Sequence, residues 1–306
     1  MLELLDEVVK RTAAGEAVGV CMVAATRGST PQKSGAVMLV LENGATLGTL
    51  GGGCVEAEVR TRAQELMRRN ESRTLTFKLD GDYGWDDGLV CGGSMDVAVA
   101  TARDSIAYAD VIDAVGRGES ATLQVVDAEH VVEPPPRLVI AGAGHVGQAL
   151  AAIAGPAGFD VTVIDDRPDC ANADRFPDAH RIVGDIEREL RRLTITANTY
   201  VVIVTRGHRH DADALGAVVE TPAKYVGLIG SKRKILTILR GLRETGTDET
   251  HLRKVHAPIG LAIGAVSPHE IAVSIAAELI AVRHGRPTPS SMGVAPKLLD
   301  IGTRRD

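Results

Sequence analysis

The feature that most restricts how this chain can fold is the run LVIAGAGHVG at residues 138–147. A short apolar run, a turn with glycines at 142, 144 and 147, and an alanine-rich stretch read as strand, tight turn and helix. Gly142 permits the turn, Gly144 lets a diphosphate approach the backbone, and Gly147 lets helix and strand pack closely. The first N–H groups of such a helix lack intrahelical partners and lie at the positive end of its dipole, which suits a phosphate. His145 sits inside the turn, near where a ligand would lie. A second strand, VTVID, ends at Asp165, about 20 residues further on, where a ribose-binding acid belongs. Apolar runs at 181–183, 200–204 and 225–228 alternate with helical stretches. The fold class expected is therefore α/β, with residues 137–306 forming a Rossmann-like doubly wound parallel sheet. Ser267-Pro268-His269-Glu270 reads as a capping box opening the last helix.

The strongest punctuation is Glu133-Pro134-Pro135-Pro136. Consecutive prolines remove donors and fix φ, so neither helix nor sheet runs through them. Residues 133–136 are read as a linker between an N-terminal domain, 1–132, and the Rossmann-like domain. The N-terminal half reads as α+β. It has an amphipathic helix at 2–14, strands at 17–25, 35–41 and 45–50, a helix at 54–69, and strands at 73–79 and 95–100. Residues 80–88 form an acidic loop.

Three segments of this half look unlike ordinary core. Arg27–Gly35 carries two cations, three hydroxyls and two glycines directly after a strand, a composition that can hold an anion. Gly51-Gly52-Gly53-Cys54 runs into a helix, and Cys91-Gly92-Gly93-Ser94 follows a turn. Three glycines in a row are costly to order, so they serve close backbone approach. A cysteine at a helix N-terminus ionises more readily. The plain alternative is that Cys54 and Cys91 are small buried fillers, as Cys21 in its apolar strand is expected to be. In the C-terminal half, Thr205–Asp213 follows a predicted strand at the sheet's carboxyl edge, where ligands bind in open α/β folds. His208 is the candidate there, although histidine–aspartate clusters in loops are more often hydrogen-bonded structure. Gly230-Ser231-Lys232 opens a cationic helix suited to a phosphate.

Composition excludes several classes. The formal net charge is −6, against the clustered basic surface that nucleic-acid binding needs. No apolar stretch is long enough to span a membrane. The start of the chain shows no secretory layout, and its four cysteines form no CxxC pair, so free thiols in a reducing cytoplasm are expected. No metal site is assigned.

The segments GSTPQKSGAVMLV, GTLGGGCVEAEV, GLVCGGSMDV, LVIAGAGHVGQALA, VTVIDDR, VVIVTRGHRHDADAL, YVGLIGSKRK and VHAPIGLAIGAVSPHEIAVSIAAELIAVR follow one another along nearly the whole chain. In this order they resemble the XdhC/CoxI family of molybdenum-cofactor maturation factors. The resemblance implies a chaperone that binds molybdenum cofactor, a pyranopterin dithiolene bearing a phosphate or nucleotide. It implies that the cofactor is held while a cysteine desulfurase helps replace an oxo ligand by sulfur. Delivery to the apo-enzyme of a xanthine or carbon monoxide dehydrogenase-type hydroxylase follows. A homodimer is the expected assembly. Cys91 first, and Cys54 second, are the thiols expected to ligate the metal or relay sulfur. Gly51–Gly53, Gly92, Gly93, Gly142, Gly144, His145, Gly147, Asp165, His208, Ser231 and Lys232 are expected to line the cofactor. The sequence departs from the family pattern at Arg206, where a histidine is usual, and at Ser94, where an arginine is. The chain lacks iron–sulfur spacings, so it is not itself a whole xanthine dehydrogenase. The alternative reading is an NAD(P)-dependent oxidoreductase, with NAD or another dinucleotide on the Rossmann turn.

Overall fold

The computed structural model describes residues 1–79 and 93–286, the side chain of Cys54 excepted. The chain separates into two compact units, Met1–Pro134 and Pro135–Asp306.

In the first unit the elements run α1 (Leu2–Ala13), β1 (Val18–Arg27), β2 (Val37–Leu41), β3 (Thr46–Gly48), α2 (Gly53–Arg69), β4 (Arg73–Lys78) and β5 (Ser94–Ala102). Then follow α3 (Ile106–Gly116), β6 (Ala121–Val125) and β7 (Ala128–Val132). Five strands form an antiparallel sheet in the order β3-β2-β1-β5-β4. The two-residue period of the central strand decides the layering. Val18, Val20 and Met22 face Leu5 and Val8 of α1, Val111 of α3 and Leu123 of β6. Cys21 and Val23 face Val55, Val59 and Ala63 of α2. Each such aliphatic side chain, fully buried, contributes roughly 1.5–3 kcal/mol. Burial pushes the Cys21 thiol up to about 12, so it is an inert core residue.

The sequence reading assigned no element to residues 103–132, where the structure has α3 and the β6–β7 hairpin. α3 carries ordinary signals that the reading passed over, Ser105 at its N-cap and Gly118, at φ +82, just beyond its end, although Ser105 makes no side-chain capping hydrogen bond. The hairpin lacks its usual signal. The hairpin turns through Val126 at φ +57, a left-handed conformation that β-branched residues rarely adopt and that glycine usually supplies. Arg27, read as loop, is the last residue of β1.

In the second unit the elements are β8 (Arg137–Ala141), α4 (His145–Ala154), β9 (Asp160–Asp165), β10 (His180–Val183), α5 (Ile186–Arg192), β11 (Thr199–Ile203) and α6 (His208–Val218). The chain continues through β12 (Tyr225–Leu228), α7 (Lys232–Glu244), α8 (Glu249–Leu252) and α9 (Pro268–Arg283). The strands are all parallel, in the order β10-β9-β8-β11-β12. Because both faces are covered, β8, β9, β11 and β12 are mostly apolar and buried, whereas the edge strand β10 is largely exposed. Leu138, Ile140 and Val202 pack with α4 and α9 on one face. Val139, Val201 and Ile203 pack with α5, α6 and α7 on the other. The sheet order reverses direction at β8, so the crevice beyond its carboxyl end is a topological switch point. The Ser267–Glu270 capping box that opens α9 is fully formed. Among the described residues no helix is long and apolar enough to cross a membrane.

Candidate functional site

In the first unit, one end of the antiparallel sheet collects the turns that the sequence singled out. An added Cβ at Gly93 would stand 2.3 Å from the Ser29 carbonyl oxygen and 2.6 Å from that of Arg27. At Gly51, which has φ +106, it would stand 2.5 Å from Cβ of Pro31. The loop 28–36 is thus wedged between Gly51 and Gly93, and only glycine allows either approach. The loop is pinned from within: Ser34 Oγ donates to the Ala24 carbonyl at 2.9 Å, and Thr30 Oγ1 to that of Gln32 at 2.9 Å. Lys33 is exposed on it, and Arg27, ending β1 just before it, is exposed and lies 3.7 Å from Asp96. Gly52 and Gly53 also have positive φ, but a Cβ on either would meet nothing within 4 Å. Packing therefore explains Gly51 and Gly93, whereas Gly52 and Gly53 border open space.

The glycine turn already holds an anion supplied by the chain. Glu56 Oε1 accepts from Thr49 Oγ1 at 2.6 Å, from Leu50 N–H at 2.8 Å and from Gly52 N–H at 3.0 Å. Burial works against ionisation of this carboxyl, but these donors hold it below the usual glutamate range. Glu56 went unnoticed in the sequence. Its signal was an acid in the first turn of a helix preceded by glycines. Cys54 is the second residue of α2. The expectations for Cys91, Gly92 and the 80–88 loop lie outside the described residues, as does the Cys54 side chain.

In the second unit, the carboxyl ends of β9, β8, β11 and β12 bring the remaining candidates to one sheet edge. Gly142 N–H donates to the Ile164 carbonyl, Val204 N–H to that of Ala141, and Ile229 N–H to that of Ile203, tying the four strand ends together. A Cβ at Gly142 would meet the Val204 carbonyl oxygen at 2.5 Å, and one at Gly147 the Gly142 carbonyl oxygen at 2.1 Å. These two glycines are required by the fold alone. At Gly144 a Cβ would meet nothing within 4 Å, so the protein's own packing does not demand glycine there.

Asp165 ends β9 with its side chain 3% exposed. Its Oδ2 accepts from Ala143 N–H, within the glycine turn, at 2.8 Å and from Arg167 Nη2 at 2.9 Å. Its Oδ1 accepts from Arg167 N–H at 3.0 Å and from Arg167 Nε at 2.8 Å. Burial opposes ionisation of Asp165, but the Arg167 side chain and the two backbone donors outweigh it and bring the carboxyl down to about 2. Arg167 was missed in the sequence, although it stands in the quoted VTVIDDR. Beside this pair, Arg206 Nη2 donates to Asp166 Oδ2 at 2.7 Å.

His208 is the exposed first residue of α6. Asp211, in the same first turn, is fully buried, accepts from Thr205 Oγ1 at 2.5 Å and pairs with Lys234. Of the three cations opening α7, Lys234 is thus committed to Asp211, while Lys232 and Arg233 are exposed. Ser231 serves as the N-cap of α7 through Lys234 N–H at 3.3 Å. His145, the first residue of α4, is exposed. Among the described residues no group of three or more His, Cys, Asp or Glu is placed to hold a metal ion.

Deeper in this unit, Glu278 of α9 is fully buried. It accepts from Tyr225 Oη at 2.5 Å and Gly260 N–H at 2.8 Å, and lies 3.2 Å from His256 Nδ1. Burial first, and then the adjacent carboxylate, push the Tyr225 hydroxyl well above its ordinary value. Its parts are scattered in sequence, so no local signal marks this cluster.

Comparison with known proteins places both halves. The XdhC Rossmann domain profile matches residues 138–279, and the XdhC and CoxI family profile matches residues 12–78. The protein YqeB of Escherichia coli is 33% identical over 86% of this chain, which spans only 43% of that relative's length. The molybdenum cofactor insertion chaperone PaoD of Escherichia coli is 26% identical over 84% of this chain and 80% of its own. The crystal structure of a xanthine dehydrogenase from Bacillus halodurans is 27% identical, with a TM-score of 0.82, covering 95% of this chain and 97% of that one.

Proposed function

This chain belongs to the XdhC and CoxI family, and from that premise we propose that it is a molybdenum-cofactor insertion chaperone for a xanthine dehydrogenase-type hydroxylase. The observation that carries the reading is the gathering of loop 28–36, the Gly51–Gly53 turn and Gly93 at one end of the antiparallel sheet. The cofactor supplies, when bound, an anionic phosphate and a thiophilic metal centre. The residues present suit such a group. The Thr49–Gly52 turn is built to receive an anionic oxygen, since Glu56 already occupies it. Gly52 and Gly53 leave room for close approach. Lys33 and Arg27, the latter paired with Asp96, are exposed on and next to the loop that packs on Gly51.

In this reading the turn amides and the two cations bind and orient the phosphate, with Glu56 exchanging places with it. Cys91 and Cys54 are the thiols that ligate the metal or relay sulfur delivered by a cysteine desulfurase. The chain, as a cytoplasmic homodimer, then passes the cofactor to the hydroxylase apo-enzyme. A second reading, a nicotinamide-dependent oxidoreductase, draws its support from the open position at Gly144 in the Rossmann turn.

The deciding experiment expresses the chain in a host that makes molybdenum cofactor, purifies it without oxygen and measures bound pterin as its fluorescent oxidation product. Near-stoichiometric pterin, reduced in Cys91→Ala or Cys54→Ala, is the expected result. Absence of pterin in the wild type sinks the chaperone reading. Full retention in both variants removes the thiol role.

A further inference from the structure

The dinucleotide reading of the Rossmann turn depends on an acid at the end of the second strand that accepts hydrogen bonds from a ribose diol. Asp165 stands at that position but has nothing left to offer. An ionised carboxylate has about four acceptor positions. In Asp165 all four are used, by Ala143 N–H, Arg167 N–H, Arg167 Nε and Arg167 Nη2, at 2.8–3.0 Å. The side chain is 3% exposed, so a diol reaches it only by breaking this set. The same clasp reverses the sign of what the sheet edge presents. The Arg167 side chain is 34% exposed, and its Nη1 has no hydrogen-bond partner among the described residues. Next to it, Arg206 is 49% exposed and compensates Asp166.

We propose that this edge reads a phosphomonoester at Arg167, seconded by Arg206, and rejects the free ribose diol of an NAD-type ligand because Arg167 saturates Asp165. Asp165 is then a positioning residue, holding the guanidinium with both oxygens and the glycine turn, through Ala143 N–H, with Oδ2 as well. A guanidinium held by a bidentate contact is pre-organised, so little entropy is lost when its remaining N–H groups meet phosphate oxygens. The inference goes beyond the chaperone reading and does not depend on pterin retention.

NADH and NADPH differ only by the 2′-phosphate on the ribose that Asp165 would otherwise hold. Calorimetric titration of the full chain, made in a host without molybdenum cofactor, therefore isolates the choice. NADPH should bind about tenfold or more tightly than NADH, the size of one charge-assisted hydrogen bond. Arg167→Ala should abolish that preference, and Arg167→Lys should keep part of it. If inorganic phosphate displaces NADPH, Arg167 reads any phosphomonoester; if not, it reads the nucleotide phosphate. Equal affinities, tighter NADH, or no binding of either cofactor to the wild type overturns the proposal, whether or not the variants fold. Failure of the pterin measurement leaves this result untouched, and the reverse also holds.

Discussion

Replacing Arg167 by alanine tests whether the Asp165 clasp stabilises the second unit by the amount its geometry implies. In the folded chain the Asp165 carboxyl is brought from an ordinary 3.8 to about 2. A shift of that size corresponds to about 2 kcal/mol of stability at neutral pH. Because the folded value is depressed, this contribution is fully present well above the unfolded value. It is lost as pH falls through the folded one. Arg167→Ala removes two of the four hydrogen bonds and the positive charge, leaving a nearly buried carboxylate with only backbone donors. The variant should therefore lose about 2 kcal/mol at pH 7, or roughly 4–8 °C in Tm for a domain of this size. The difference should halve by about pH 3, where the linkage has fallen to about half its neutral value. Thermal melting of wild type, Arg167→Ala and Asp165→Asn at pH 7 and pH 3 measures both quantities. A loss of about 1 °C or less at pH 7, or one that is as large at pH 3, refutes the assignment of this ion pair.

The glycines of the Rossmann turn should separate cleanly. Gly147→Ala drives a Cβ to 2.1 Å from the Gly142 carbonyl and should cost about 1–3 kcal/mol or more, whereas Gly144→Ala meets nothing and should melt within about 0.5 kcal/mol of wild type. Equal losses in denaturant titrations would show that the turn is packed differently. Glu278→Ala deprives Tyr225, His256 and Gly260 of their shared acceptor and should destabilise the second unit by about 3–5 kcal/mol, with Glu278→Gln milder. A loss near about 1 kcal/mol in either scan would place that network in water. Glu56→Ala should speed amide exchange at Leu50 and Gly52. In the wild type, protection there should hold above the usual glutamate range and fade only as pH drops below it, because the Glu56 carboxyl is depressed. Unchanged exchange in the variant would remove Glu56 from the turn.

The parts of this protein that sequence alone determined are those whose causes lie within a few neighbouring residues. The strand, turn and helix of 138–147 follow from an apolar run and three glycines, two of which the packing shows to be obligatory. The capping box at Ser267–Glu270 and the opposed faces of Val18–Val23 are likewise local. Where the local signal failed, at Val126, the β6–β7 hairpin went unread, whereas α3 went unread despite Ser105 at its N-cap. Tertiary structure alone decided who pairs with whom. Glu56 folds back onto the glycine turn, Lys234 crosses to Asp211, and loop 28–36 slots between Gly51 and Gly93. Arg167 takes the acid that the sequence had offered to a ribose. The reason is physical: a motif specifies backbone conformation through short-range sterics and hydrogen bonds. Whether a charged side chain is left free for a ligand depends on every donor that the completed fold brings within 3 Å of it.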